Sequence, residues 1–336
     1  MDILNALVAF LNFVFVPAVA YGAQLALGAL GATLIYGILR FSNFAHGDTM
    51  AFGTAITILG TWGLQSAGIS FGVLPTALLA LPLGILVTAL FVLGTDRLVY
   101  RFYRQKKVSP SILVIVSLGV MFVMNGLTRF LIGVEDIGFA DGERFVITAA
   151  EFKAWSGLDE GLAIKATQAL TLGVAVVVVA ALFWFLQKTR TGKSMRAFSD
   201  NEDLALLSGI NPDRVVQVTW ILAAALAVIA GVLYGLDKSF KPFTYFQLLL
   251  PIFAAAIVGG LGSPLGAIAG GFVIAFSEVM VTYAWKKVVT YLVPSDWAPD
   301  GLVQLLSTDY KIAVSFTILI IVLLFMPTGL FKGKTS

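Results

Sequence analysis

The sequence predicts an all-α polytopic integral membrane protein, and three observations carry that prediction. Residues of the set AVILMFWYC make up 59% of the 336 positions, well above a soluble domain, where even the count including glycine stays near ~45–50%. Charged residues contribute 12%, about half of the usual ~25%. The apolar residues also fall in repeated runs near the ~20 residues that cross a hydrocarbon core. A soluble fold cannot hide so much apolar surface, so the surplus faces lipid. Soluble enzymes, nucleic-acid binders and disordered chains are excluded on this ground. The sequence has no cysteine and one histidine, which excludes disulfides, thiol chemistry and histidine metal clusters.

Elements follow in order within a single transmembrane domain, 1–336. The first Lys or Arg is Arg40, so a cleavable secretory signal with a basic start is not expected. Residues 3–16 read as a short N-terminal membrane helix, ended by Pro17, with the first true span at 18–39. Further runs at 48–66, 73–95, 110–131, 165–186, 215–236, 245–262, 266–285 and 311–326 bring the total to about nine spans. Glycines recur within them, letting helices approach closely in lipid.

Orientation follows from Lys and Arg in short loops. Arg97, Arg101, Arg104, Lys106 and Lys107 crowd one loop, and Lys188, Arg190, Lys193, Arg196 and Arg214 another, two spans later. Both belong on the cytoplasmic side. The loop at 132–162 between them is acidic (Glu135, Asp136, Asp141, Glu143, Glu151, Asp159, Glu160) and belongs outside. Lys332 and Lys334 put the C-terminus in the cytoplasm.

The loop 187–214 contains a helix signal. Ser199-Asp200-Asn201-Glu202 has the S-x-x-E capping-box form, with Asp200, Glu202 and Asp203 favouring the helix dipole. Leu204 and Leu207 share one face, and Gly209 supplies a stop. The expected product is a short cytoplasmic helix over about 199–209, too short to stand alone in water. It needs a surface to dock on, either this bundle or a separate protein.

The spacing through Gly192, Arg196, Ala197, Asp200, Asn201, Ala205, Gly209, Ile210, Asn211 and Arg214 resembles the coupling-loop signature of bacterial branched-chain amino acid ABC importer permeases. Leu34-Ile35-Tyr36-Gly37 followed by Asn43-Phe44-Ala45-His46-Gly47 is similar to that family's LIYG…NFAHG motif. So is the run of Gly259, Gly260, Gly262, Ser263 and Gly266 leading to Glu278, and Met326-Pro327-Thr328-Gly329 resembles the family's usual end to its last span. The likeness is to the subunit that pairs with a second, different permease subunit. It implies two cytoplasmic ATPases carrying ATP and Mg, an extracytoplasmic solute-binding protein, an inner-membrane location, and a coupling helix at 199–209. The chain lacks a G-x-x-x-x-G-K-[ST] loop, so ATP hydrolysis is expected in the partners. No cofactor, metal or nucleic acid is expected on this chain.

Other residues bear two readings. His46 can titrate near neutrality, yet a lone His among Asn43, Gly47 and Asp48 reads as a hydrogen-bonded structural break, either a cytoplasmic turn or a discontinuous helix. Glu278 is the clear ionisable group inside a span, serving a pathway, a subunit interface or a structural bond. The Gly259–Gly271 run reads as packing or a re-entrant turn. Tyr283, Trp285, Tyr291 and Trp297 read as interfacial anchors. An ion-coupled transporter would show several paired charges in its spans, and a membrane enzyme a polar catalytic cluster. Urea or short amides stand beside branched-chain amino acids as cargo.

Overall fold

The computed structural model describes residues 2–293 and 301–331. Trp297, Lys332 and Lys334 lie outside the described residues. The chain is an all-α membrane protein. Eight of its helical stretches are long and apolar enough to cross a bilayer, and a ninth long helix is less apolar and largely enclosed by protein.

The expected break at Pro17 is absent. Helix α1 (Asp2–Phe10) runs through a π turn at Leu11–Phe15 into α2 (Val16–Leu39) as one stretch of 38 residues. Proline lacks an N–H and its ring crowds the carbonyl four residues back. The wider π turn just before it accommodates both. Helix α1 is thus an extension of the first span at the acidic end.

Next come α3 (His46–Ser66) and α4 (Ala77–Thr95), the latter prolonged by a π turn at Asp96–Tyr100 and α5 (Arg101–Gln105). The first basic segment is therefore largely helical rather than loop. Helix α6 (Pro110–Ile132) leads into the acidic segment. That segment holds a hairpin of β1 (Phe145–Ile147) and β2 (Ile164–Lys165) around α7 (Ala149–Ser156), whose Thr148 and Glu151 form a capping box. After α8 (Ala166–Lys188) the second basic loop folds as α9 (Arg190–Asp200) and α10 (Glu202–Leu207). Then follow α11 (Pro212–Lys238), α12 (Pro242–Gly259), α13 (Pro264–Thr282), α14 (Lys286–Leu292) and α15 (Lys311–Phe325).

Helix α2 is the axis of the bundle and packs on α8, α11, α12 and α13. Its contact with α13 is made by glycines. A Cβ on Gly271 would lie 2.6 Å from the Ala26 nitrogen, and one on Gly22 would lie 2.6 Å from the Phe272 ring. Close backbone approach replaces the hydrophobic drive that lipid cannot supply.

At the acidic end the segment after α7 is tied down. Asn5 and Asn12 accept from the Glu160 and Ala163 backbone N–H groups at 3.2 and 2.9 Å. Glu160 takes an ion pair from Lys287 at 2.8 Å and a hydrogen bond from Tyr291 at 2.7 Å. Burial pushes its carboxyl up, but these two donors outweigh that and hold it below the usual carboxylate range. Tyr283 and Trp285 stack on Phe13 and Phe10, so these aromatics brace the N-terminal helix.

Candidate functional site

The basic loop departs from the expected capping box. Ser199 and Asp200 belong to α9, and the chain is extended at Asn201 (φ −153°, ψ 108°), whose side chain caps α10 by accepting from the Leu204 N–H at 3.0 Å. The short helix is therefore Glu202–Leu207, not 199–209, with Glu202 at its first position. Asn takes the cap because the Ser199 hydroxyl is engaged elsewhere. The stop is the expected one. Gly209 has φ +80°, and the Gly209 and Ile210 N–H groups return to Leu206 and Ala205, each at 3.0 Å, the pattern of a Schellman end. Asn211 then caps α11 by accepting from the Arg214 N–H. Ala205 is buried while Leu204, Leu206 and Leu207 are exposed, Leu207 at 86%. A six-residue helix thus presents bare leucines on a rigid two-capped mount.

The mount is fixed to the bundle through α9. Gly192 permits it: a Cβ there would lie 2.2 Å from the Phe185 carbonyl oxygen at the end of α8. Ser199 Oγ donates to the Gly37 carbonyl at 2.9 Å, and Arg40 Nη2 donates to the Ser199 carbonyl at 2.7 Å. Arg196 and Ala197 are on the exposed side of α9.

The glycine-rich turn arrives at the same place. Ser263 caps α13 by accepting from the Gly266 N–H. Gly259 and Gly266 cross with no room for side chains, a Cβ on Gly259 falling 2.0 Å from the Gly266 oxygen. Gly260 and Gly262 have φ of +109° and +84°. The tail after α15 closes on this turn, with Leu330 and Phe331 donating to the Val258 and Gly259 carbonyls. Parts of the four motif regions, distant in sequence, meet at one end of the bundle: the end of α2, α9, the 259–266 turn and the tail after α15. A cavity of about 290 Å3 at this end is bordered by α2, α8, α9 and the 262–265 turn.

The other half of the second motif resolves as a discontinuous helix. Arg40 closes α2 with φ +57° at the basic end, and residues 41–45 turn back into the bundle as irregular chain. His46, the first residue of α3, is buried, with Nε2 2.9 Å from the Gly28 carbonyl. Gly28 stands about 18 Å up α2 from Arg40 at the helical rise. Helix α3 therefore begins part-way along α2 inside the bundle, and irregular backbone at such a depth in a membrane protein must be enclosed by protein. Its enclosure is polar and specific. Phe44 N–H donates to Ser117, the Asn43 side chain accepts from Ala45 N–H and Tyr100 Oη, and Asp48 Oδ1 accepts from Asn125 at 2.7 Å. Gly31 and Gly47 allow the fit, since a Cβ on Gly31 would strike the His46 ring at 2.7 Å and one on Gly47 the Tyr245 oxygen at 2.7 Å.

Glu278 is buried between α2, α13 and α15. One carboxylate oxygen accepts from Ser315, and the other has no hydrogen-bond partner. It lies far from the 187–214 loop, toward the acidic end. A further network escaped the sequence reading. Asp96 is buried and accepts from Arg104 and from Trp220 Nε1 at 2.8 Å, while Arg101 pairs with Asp213 at 3.0 Å. It joins α4 and α5 to α11, beside the 187–214 loop. The available signal was an Asp eight residues ahead of an Arg in a basic segment.

Comparison with known proteins agrees with this architecture. Residues 15–323 match the family described as branched-chain amino acid transport system, permease component. The chain is 30% identical over 316 residues to the high-affinity branched-chain amino acid transport system permease protein LivH of Escherichia coli K12, covering 93% of this chain and 92% of that one. It is 29% identical to BraD of Pseudomonas aeruginosa, a permease protein of the same description, covering 94% of both. A probable LivH of Methanocaldococcus jannaschii is 30% identical over 79% of each chain. This chain belongs to the family of permease components of branched-chain amino acid transport systems.

Proposed function

We propose that the chain is one half of the translocation pathway of an ABC importer for branched-chain amino acids, completed by a second, different permease subunit. Two ATPase subunits carrying ATP and Mg dock at its basic, cytoplasmic end, and an extracytoplasmic binding protein delivers cargo at the acidic end. The location is the bacterial inner membrane, with the C-terminus in the cytoplasm. Arg97, Arg101 and Arg104 at one end and the acidic 132–162 segment at the other support this orientation.

One observation carries the reading. Helix α10 exposes Leu204 and Leu207 on a mount hydrogen-bonded to the end of α2. Exposed leucines on a capped helix suit insertion into an apolar cleft, and the two bonds give a displaced helix a mechanical path to the bundle axis. The test is co-purification with two ATPase subunits together with ATP hydrolysis stimulated by the binding protein. Uptake competition among leucine, isoleucine, valine and urea identifies the cargo. Uptake by this chain alone in ATP-free vesicles would overturn the reading in favour of an ion-coupled carrier.

A further inference from the structure

Helix α4 carries an apolar stripe that ends in an unpaired charge. Leu79, Leu83, Leu86 and Leu90 are exposed and recur three or four residues apart, so they share one face. Gly94 and Arg97 continue the same spacing. From Leu83 to Gly94 the stripe runs about 16 Å at 1.5 Å per residue, the depth of one leaflet of a ~30 Å hydrocarbon core. Arg97 thus stands at headgroup level at the basic end. Leu98 and Phe102 beyond it are also exposed, which suits a membrane interface and not open water.

A cavity of about 400 Å3 opens at this point between the end of α4 and the first turns of α11. Gly94 borders it, and a Cβ there would meet nothing within 4 Å. Leu93 gives it an apolar side, and Gln217 brings an exposed amide. Its two carboxylates are already engaged. Asp96 accepts from Arg104 and Trp220 Nε1, and Asp213 pairs with Arg101. Arg97 is exposed and has no hydrogen bond or ion pair among the described residues. With the other pairs matched, its guanidinium is the spare charge of the cavity.

We propose that this cavity holds the phosphate of an anionic phospholipid from the leaflet at the basic end. The Arg97 guanidinium donates a pair of parallel bonds to the phosphate oxygens, the Gln217 amide donates another, and an acyl chain lies along Leu90, Leu86 and Leu83. A planar guanidinium suits this task better than an ammonium does. A zwitterionic lipid brings a cation of its own to the same place and gains less. The bound lipid bridges α4 and α11 beside the Arg101–Asp213 pair.

The test is native mass spectrometry of the full chain, with whatever subunits co-purify with it, in detergent holding equal amounts of phosphatidylglycerol and phosphatidylcholine with matched acyl chains. Phosphatidylglycerol should be retained about fivefold over phosphatidylcholine, the worth of ~1 kcal/mol for one cation at a membrane surface. Arg97→Gln should remove that preference. Gly94→Leu fills the cavity and should lower phosphatidylglycerol retention severalfold, a second test that leaves every charge in place. Lys106→Gln removes an exposed cation outside the cavity and should change the preference little. No preference in the unaltered chain, or a preference that neither Arg97→Gln nor Gly94→Leu reduces, overturns the inference and leaves the groove to a protein partner. Equal loss in Lys106→Gln also overturns it, in favour of diffuse attraction to a basic surface. Soluble glycerol phosphate shares the phosphate chemistry without the chains and should not displace the lipid. Displacement by it assigns the cavity to a soluble phosphate and overturns the lipid site.

Discussion

Arg40 reaches across 159 positions of sequence to donate a 2.7 Å hydrogen bond to the carbonyl of Ser199. It does so from a left-handed backbone conformation, φ +57°, which is unfavourable for a residue with a Cβ. Arg40→Ala and Arg40→Gly should therefore separate two effects. Glycine accepts the backbone geometry and alanine does not, but neither makes the bond. Both variants should retain ATPase subunits on co-purification and lose severalfold in amino acid transported per ATP hydrolysed. The alanine variant alone should also melt lower. Unchanged stoichiometry in both would remove this bond from the coupling path.

Leu207 is 86% exposed, so an aspartate there should cost the fold little, about 0.5 kcal/mol or less. Leu204→Asp and Leu207→Asp should insert normally and keep wild-type melting behaviour. They should hydrolyse ATP without binding-protein stimulation or fail to retain the ATPases. Normal coupled uptake in both contradicts docking through α10.

Glycine packing makes a contrast within one residue type. A Cβ on Gly270 would lie 2.0 Å from the Ala255 oxygen, whereas one on Gly63 would meet nothing within 4 Å. Gly270→Ala should destabilise the protein by about 1–3 kcal/mol through forced separation of α12 and α13. Gly63→Ala should be neutral or slightly stabilising, since alanine is the better helix former. Thermal melts of the two variants in one detergent decide the matter.

Ser315 is the buried polar anchor of the thinly packed terminal helix α15. Ser315→Ala strips Glu278 of its hydroxyl donor and should cost about 1–3 kcal/mol. Glu278→Gln keeps an acceptor for that hydroxyl and should cost less. Limited proteolysis of the α13–α15 connection reads the difference. Equal susceptibility of the two variants would show that the bond does not hold α15.

Glu160 gives a pH signature. Lys287 and Tyr291 hold its carboxyl below the ordinary value of ~4.3 despite its burial. A carboxyl lowered on folding adds stability above its unfolded pKa and loses it as the pH falls through the folded one. The tie between the acidic segment and α14 should therefore persist at neutral pH and weaken below about pH 4. Glu160→Gln should remove this part of the pH dependence of melting. An unchanged acid limb would assign it to other carboxylates.

Sequence patterning made the spans legible because about twenty apolar residues have few alternatives to a membrane helix. It also made the basic and acidic ends legible. Three features were not. The helix through Pro17 required a π turn, which no local motif announces. The cap at Asn201 displaced Ser199 because the Ser199 hydroxyl bonds Gly37, a partner 162 positions away. The depth of His46 depended on the Gly28 carbonyl and the space above Gly31. At the last two, a tertiary contact overrode a local signal. The 187–214 segment was legible as a loop with a short helix, while its attachment to α2 was not.

The enclosed character of α3 bears on how the chain is made. This helix carries Asp48, Thr49, Thr54, Thr57 and Thr61 among its buried residues and is not among the stretches apolar enough to cross a bilayer. Its cover is α4, α6, α11 and α12. The last two leave the ribosome more than a hundred residues after it. During synthesis α3 must be held by α4 and α6, or by the insertion machinery, until the second half of the chain arrives. Truncation before α11 then strands a polar helix in lipid and marks the unfinished protein for proteolysis.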